Sequence, residues 1–432
     1  MLQAVIDAFK IPDLRRKMLF TVGILIVFRF VATIPVPGVD QEALRRLLES
    51  NQLLGILNLF SGSTLTNFSI VAMGVYPYIT ASIIMQLLTP VIPRLSELSK
   101  EGNLGRAKIN QYTHWITVPI ALLQGYGQAA LMTQAGVLRD FGLFNSETAL
   151  RSIALLLTMT AGTVFLVWLG ELITENGIGN GVSIIIFGGI VASLPASVGN
   201  LLTGGTLTQN LIGTVTFLAI GLLTIVGIVL INEGQRRIPV QHARRIRRGR
   251  VYGGGTTFIP LKVNSAGMIP LIFAISILVL PGMIANFLTT SEREWLRDLA
   301  GGIAAVFNPN SAPYQVAYFV LVVAFTYFYT MILFQQQNIA ETLQRQGAFI
   351  PGIRPGRNTD QYLTHVLMRI TLVGALFLGF VAVLPYLAAK ITGVTVLFLS
   401  STSLLIVVGV AIDTMRQLEA QLLMRNYEGF LR

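Results

Sequence analysis

Seven arginines, Arg236, Arg237, Arg244, Arg245, Arg247, Arg248 and Arg250, fall within residues 236–250 with no acidic residue among them. The chemistry they offer is electrostatic. In a membrane chain they hold their segment in the cytoplasm, because translocating so much positive charge is resisted, and they give a partner a surface to grip. Other chemistry is sparse. The chain has no cysteine, which excludes disulfides, thiolate metal sites and cysteine nucleophiles. Its histidines, His114, His242 and His365, lie far apart, so no metal cluster is expected. No Gly-x-x-x-x-Gly-Lys-Ser/Thr loop occurs, so energy must come from a partner or a gradient, and no cofactor is expected. Arg29 lies inside an apolar run, while Glu171, Glu233 and Asp413 lie near the ends of such runs. No carboxylate falls at a position expected at mid-bilayer, where ion and proton pathways keep them. That argues against an ion-coupled transporter and against an intramembrane hydrolase.

The elements that position these residues are built for lipid. Hydrophobic residues make up 53% of the 432 and charged ones 12%, with mean hydropathy +0.68; soluble domains carry about a quarter charged residues. The 41 glycines suit helices that pack closely, bend and break within a bilayer. The net charge of +11 is explained first by orientation and second by anionic lipid. A hydrocarbon core takes about 20 apolar residues per helix. Ten spans are predicted: 18–37, 72–92, 113–135, 150–172, 182–199, 211–232, 265–288, 313–334, 364–387 and 395–415. The first follows Lys10, Arg15, Arg16 and Lys17, and is too long for a cleaved leader. An even count puts both termini on one side. Outer loops then hold only Arg45, Arg46, Arg139, Arg151, Arg293, Arg297 and Lys390 of the 31 Lys and Arg, which places both termini in the cytoplasm. The fold class is an all-α polytopic membrane protein. Five spans in each half, 1–200 and 201–432, give the halves opposite orientations, an inverted-repeat plan.

Some segments do not suit ordinary spans. Residues 55–74 cluster Ser61, Gly62, Ser63, Thr64, Thr66 and Asn67 among apolar residues. They read either as a re-entrant short helix blocking a pathway, buried in protein, or as an interfacial helix on the outer face. Thr80, Ser82 and Gln86 interrupt the second span, Gln124 the third, and Asn264 begins the seventh. These residues either line a wet seam or make interhelical hydrogen bonds worth under about 1 kcal/mol each. A conduit that is apolar at its narrowest point needs no charged residue, since bulky aliphatic rings seal by dewetting. From the residues alone, a polytopic conduit with a cytoplasmic partner stands beside a secondary transporter of a small solute and an intramembrane enzyme.

The strings LFTVGILIVFRFVATIPVPGVD (19–40), LNLFSGSTLTNFSIVAMGVYPYITASIIMQLLTPV (57–91), WLGELITENGIGNGVSIIIFGGIVASLP (168–195), IPLKVNSAGMIPLIFA (259–274) and GAFIPGIRPGRNT (347–359) resemble the SecY family. The resemblance runs in order along the whole chain. It implies a passive protein-conducting channel of the bacterial inner membrane, not an enzyme, that passes unfolded secretory polypeptides and releases transmembrane helices sideways into lipid. It further implies a pore ring of Val75, Ile79, Val182, Ile186, Ile272 and Ile406, all aliphatic, between the two halves. Residues 57–71 are similar to the family's plug, with Phe60, Ser61, Gly62, Ser63, Leu65, Asn67 and Phe68. Thr80, Gln124 and Asn264 fall in the implied lateral gate of spans two, three, seven and eight. Segments 234–262 and 335–362, with Arg354, resemble docking loops for a ribosome or a SecA-like motor ATPase. SecE-like and SecG-like small subunits are implied as partners, and signal peptides and nascent chains as substrate. Gln335-Gln336-Gln337-Asn338 and Ser400-Ser401 depart from the family's pattern.

Overall fold

The computed structural model describes residues 8–50, 54, 58, 61–62, 64–138, 141–142, 146–203, 211–242, 245–247, 250–252, 255–288, 293–392 and 401–429. Each predicted span falls on a helix. Helix α1 (Pro12–Ala32) is followed by a short amphipathic helix, α2 (Gln41–Ser50). Then come α3 (Tyr76–Val91), α4 (Pro93–Lys100), α5 (Asn103–Gln134), α6 (Ser146–Asn176), α7 (Gly181–Thr203) and α8 (Leu211–Glu233). A stranded segment follows: β1 (Gln235–His242), β2 (Arg245–Arg247), β3 (Arg250–Tyr252) and β4 (Thr256–Lys262). The chain continues through α9 (Ile269–Leu288), α10 (Glu294–Val306), α11 (Ala312–Gln337), α12 (Ile339–Arg345), β5 (Ala348–Phe349), α13 (Arg357–Thr392) and α14 (Ser401–Gly429).

The boundaries depart from the apolar runs for local reasons. The first span ends at Ala32 rather than 37, because Pro35 and Pro37 push the residues before them out of the helical region. Helix α3 starts at Tyr76 after turns over 71–75, and bends by 102° into α4 at Ile92, where Pro93 supplies no N–H. Helices α5, α13 and α14 run on into polar sequence, since helix propensity does not stop at the membrane edge. Among the described residues, Thr148–Asn176, Ala312–Arg345 and Arg357–Ile391 are long and apolar enough to cross a membrane on their own, and the bent pair α3–α4 makes a fourth. Helix α1 carries charges, and α7, α8 and α9 hold shorter apolar stretches among the described residues, Gly181–Pro195, Ala219–Glu233 and Ile269–Val279.

Apolar side chains turned outward support a lipid-facing belt. Leu19, Val22, Ile26 and Phe30 form an exposed stripe on α1, as do Leu222, Leu223, Val226 and Leu230 on α8. Patches of this kind do not survive in water. Inside the belt one large hydrophobic cluster joins α1, the 65–75 segment, α3, α5, α6, α7, α9, α11, α13 and α14.

The basic segment is not an irregular loop. Strands β1 and β4 pair antiparallel from Gln235↔Lys262 to Gln241↔Thr256, and β5 joins the other edge of β1 at Gln241 and His242. Pro239 is tolerated because β5 reaches only the end of β1. Ile238, Val240 and Leu261 turn inward onto Phe334, Leu343, Ile350, Leu363 and Leu367, a separate small core. The two segments expected to dock a partner are therefore welded into one unit over the ends of α11 and α13.

Candidate functional site

The 61–75 segment sits deep among the helices. Leu65, Phe68, Thr64 and Ser69 are fully buried, so the interfacial alternative for this segment is set aside. Of the expected short helix, the described residues hold one 3-10 turn, Leu65–Asn67. Phe60 and Ser63 lie outside them. Polar side chains hold the fold of the segment. Thr64 Oγ1 lies 2.9 Å from Ser61 O and 2.8 Å from Val71 O, and Ser69 Oγ donates to Thr64 O at 3.2 Å. Asn58 reaches across to Thr66, with Nδ2 to Oγ1 at 3.0 Å. Backbone bonds staple the segment to the end of α1, Val36 N to Phe68 O at 3.0 Å and Ile70 N to Ile34 O at 3.1 Å. Satisfied in this way, polar backbone is tolerated at membrane depth.

Three glycines allow its seat. A Cβ on Gly189 of α7 would lie 2.2 Å from Gly62 Cα, and one on Gly74 (φ +58°) would lie 2.5 Å from Ser61 Cα. Gly62 itself faces the Phe28 ring, and its carbonyl accepts from Arg29 Nη1 at 3.4 Å. Arg29, the one ionisable residue expected inside the first span, thus turns to the backbone of the 61–75 segment.

The six ring candidates all belong to the apolar interior or pack on it. Val75, Ile79, Ile186, Ile272 and Ile406 are buried in the large cluster, and half-buried Val182 packs on it. Leu65 and Phe68 belong to the same cluster. Side chains from α3, α7, α9 and α14 thus share one apolar interior with the 65–68 turn. A constriction of this kind can exclude ions without offering them a ligand.

The gate candidates do not all meet. Gln124 Nε2 donates to Thr80 Oγ1 at 3.3 Å, joining α5 to α3. Asn264 takes another partner, donating from Nδ2 to Asn232 Oδ1 at the end of α8, at 2.8 Å. It lies between the end of β4 and the irregular 265–268 turn that leads into α9. Ser82 and Gln86 bond each other along α3, at 3.1 Å. The seam between halves is crossed instead by Tyr76, whose hydroxyl donates to Ser276 O of α9 at 3.4 Å. Gln124 Oε1, Ser276 Oγ and Tyr314 Oη are buried without a protein partner. A seam with such groups is held weakly, since each costs about 1–3 kcal/mol if kept dry. The apolar periodicity of these spans gave no sign of the Tyr76–Ser276 crossing.

A polar cluster that sequence reasoning also missed ties α3, α5 and α6. Asn110 Nδ2 donates to Glu171 Oε1 at 3.1 Å, and Tyr78 Oη donates to Asn110 Oδ1 at 3.3 Å. His114 Nε2 stands 2.7 Å from Glu171 Oε1, out of line for a hydrogen bond. The topology held the clue: His114 opens the third span and Glu171 closes the fourth, on one side of the membrane. Among the described residues, no three His, Asp or Glu converge as metal ligands.

Arg236 and Arg237 are exposed on β1, and Arg354 is exposed beyond β5, its carbonyl accepting from Thr359 Oγ1 at 3.0 Å. Arg245 and Arg247 lie on β2 and Arg250 on β3, where the register sets Arg247 opposite Arg250. Like charges directly opposite destabilise a ribbon. Arg244 and Arg248 fall outside the described residues.

Residues 69–415 match the family model SecY. The protein translocase subunit SecY of Streptomyces griseus is 46% identical over 442 residues, covering 100% of both chains. Among solved structures, one concerning the plug domain of the SecY protein and the closed state of the translocation channel superposes with a TM-score of 0.63, at 17% identity over 96% of each chain. The channel of the canine ribosome-channel complex from the endoplasmic reticulum gives 0.59, at 16% identity over 96% of each chain. These two likenesses are of fold.

Proposed function

The chain belongs to the SecY family and is a multi-pass membrane channel that conducts protein, and we propose that polypeptide crosses it between the halves 1–200 and 201–432, through the ring of Val75, Ile79, Val182, Ile186, Ile272 and Ile406. One observation carries this reading: aliphatic side chains from four helices, distant in sequence, share one buried cluster with Leu65 and Phe68. Residues 57–71 act as the plug, seated on that cluster and retained by Arg29 and the glycine contacts. A segment can yield here without breaking a charge pair, because the seat is made of apolar contact and backbone bonds.

Release toward lipid occurs at the seam of α3 and α5 against α9 and α11. The Thr80–Gln124 bond lies on one side of it and Tyr76–Ser276 spans it. The welded basic sheet docks a ribosome or a motor ATPase in the cytoplasm, the side on which both termini lie. An anionic partner meets a segment rich in arginine and free of acidic residues, which gives docking a favourable electrostatic term. SecE-like and SecG-like subunits complete the channel, which performs no chemistry of its own. The test is photocrosslinking from Ile79 and Ile272 to a stalled secretory chain in membranes supplied with motor or ribosome. Signal-sequence-dependent crosslinks at both positions are expected, and their absence despite a docked partner would overturn the ring assignment.

A further inference from the structure

Four elements meet at the root of the basic hairpin. Glu233 closes α8 just before β1, and Lys262 closes β4 just before Asn264. Val263 N–H donates to Gly234 O at 2.9 Å, drawing the neck shut. Helix α13 presses on it: a Cβ on Gly374 would lie 2.5 Å from Val263 O, so only glycine permits the approach. Helix α14 grips it. Arg416 Nη2 donates to Glu233 Oε1 at 2.8 Å and to Asn232 O at 3.0 Å. Asn232 Oδ1 in turn accepts from Asn264 Nδ2 at 2.8 Å. Lys262 shares this field, its ammonium held below its ordinary pKa by burial and by Arg416, against the pull of Asp413 and Glu233.

We propose that Arg416 and Asn232 are positioning residues that couple a partner docked on the basic hairpin to the ring and the lateral gate. The inference rests on the docking and gate readings given above. Strands β1 and β4 are paired along their length and share a small core with α11 and α13, so the sheet moves as one body, and the neck is its route to α9 and α14. Residues 263–268 are irregular, with Gly267 at φ +65°, so the covalent link from β4 to α9 is by itself a loose joint. The Arg416–Asn232–Asn264 string stiffens that joint and binds it to α14. Ile406 lies on α14 ten residues from Arg416, about 15 Å along the helix, and Ile272 and Ser276 lie on α9. One guanidinium thus bridges the docking surface to two helices that shape the pore. One nitrogen, Nη2, donates to both a carbonyl and a carboxylate, so a lysine ammonium can reproduce part of the grip.

The chain has no cysteine, so spin labels can be placed uniquely at Ile84→Cys on α3 and Ile277→Cys on α9, both exposed. The labelled channel, with its small subunits, is reconstituted in vesicles. Ribosomes carrying a signal-sequence nascent chain are then added. Ribosome binding is read by co-flotation and the label distance by pulsed spin resonance, on the same samples. With Arg416→Gln, binding is expected to stay within about twofold while the docking-dependent distance population falls about tenfold, the scale of a lost charge-assisted bond. Arg416→Lys restores part of it. Glu233→Gln, which keeps hydrogen bonding and is gentler on folding, gives an intermediate loss. A full distance change in both Arg416→Gln and Glu233→Gln would overturn the coupling. If the parent channel binds no ribosome, the docking reading itself falls, and the inference with it. If it binds and its labels do not move, the gate reading falls instead.

Discussion

Replacing Gly189 with alanine should unseat the plug. The new Cβ would lie 2.2 Å from Gly62 Cα, 2.5 Å from its carbonyl oxygen and 2.6 Å from its carbonyl carbon, where ordinary contact begins at 3.4 Å. The Ser61–Gly62 backbone must therefore withdraw from α7 by roughly 1 Å, an overpacked arrangement. It cannot simply slide. Phe28 Cζ stands where a Cβ on Gly62 would be 3.0 Å away, and Gly74 closes on Ser61 from the other side. Overpacking of this kind costs about 1–3 kcal/mol, which lowers the seated fraction by about 5- to 150-fold. The assay is small-ion conductance of the purified channel in planar bilayers, with no substrate or partner. Conductance should rise for Gly189→Ala and stay at the parent level for Gly23→Ala, whose Cβ would meet nothing within 4 Å. An unchanged leak in folded Gly189→Ala channels would mean that the aliphatic ring seals alone, and would refute the plug seat.

Arg29→Met removes the 3.4 Å contact to Gly62 O; the bond is long, so the leak should rise by less than about tenfold, read on the same bilayers. Paired Ile272→Ser and Ile406→Ser substitutions make the ring wettable, and resting conductance should increase while crosslinks to a stalled chain persist. Thr80→Val removes one 3.3 Å interhelical bond, worth about 0.6 kcal/mol. It should shift the gate distance population by about threefold, with no shift at all counting against a gate role. Arg236→Glu with Arg237→Glu changes two exposed side chains, so thermal stability should hold while ribosome flotation weakens about tenfold at low salt and recovers little at high salt.

What the sequence made legible follows from which properties belong to single residues. Burial in lipid is one of them, so apolar runs located a helix for each predicted span, and Arg29 was recognised as anomalous before its partner was known. The ring is an assignment carried by resemblance, and its aliphatic character agrees with what a dewetting seal needs. Pairings belong to two residues and left little trace. Asn264, polar beside an apolar span, falls in the gate by resemblance; its bond to Asn232 depends on where α8 ends. Arg416 and Glu233, far apart in the chain, give no joint signal, though both stand at span ends predicted on one side, where opposite charges can meet. The strands were closer to legible: Ile238 and Val240 alternate with exposed residues, and Ile259 and Leu261 do the same on the facing strand. The density of arginine drew attention to charge and away from that period of two. The same residues thus serve two ends. Alternating aliphatics fix β1 and β4 on their own small core, which leaves Arg236 and Arg237 exposed on β1.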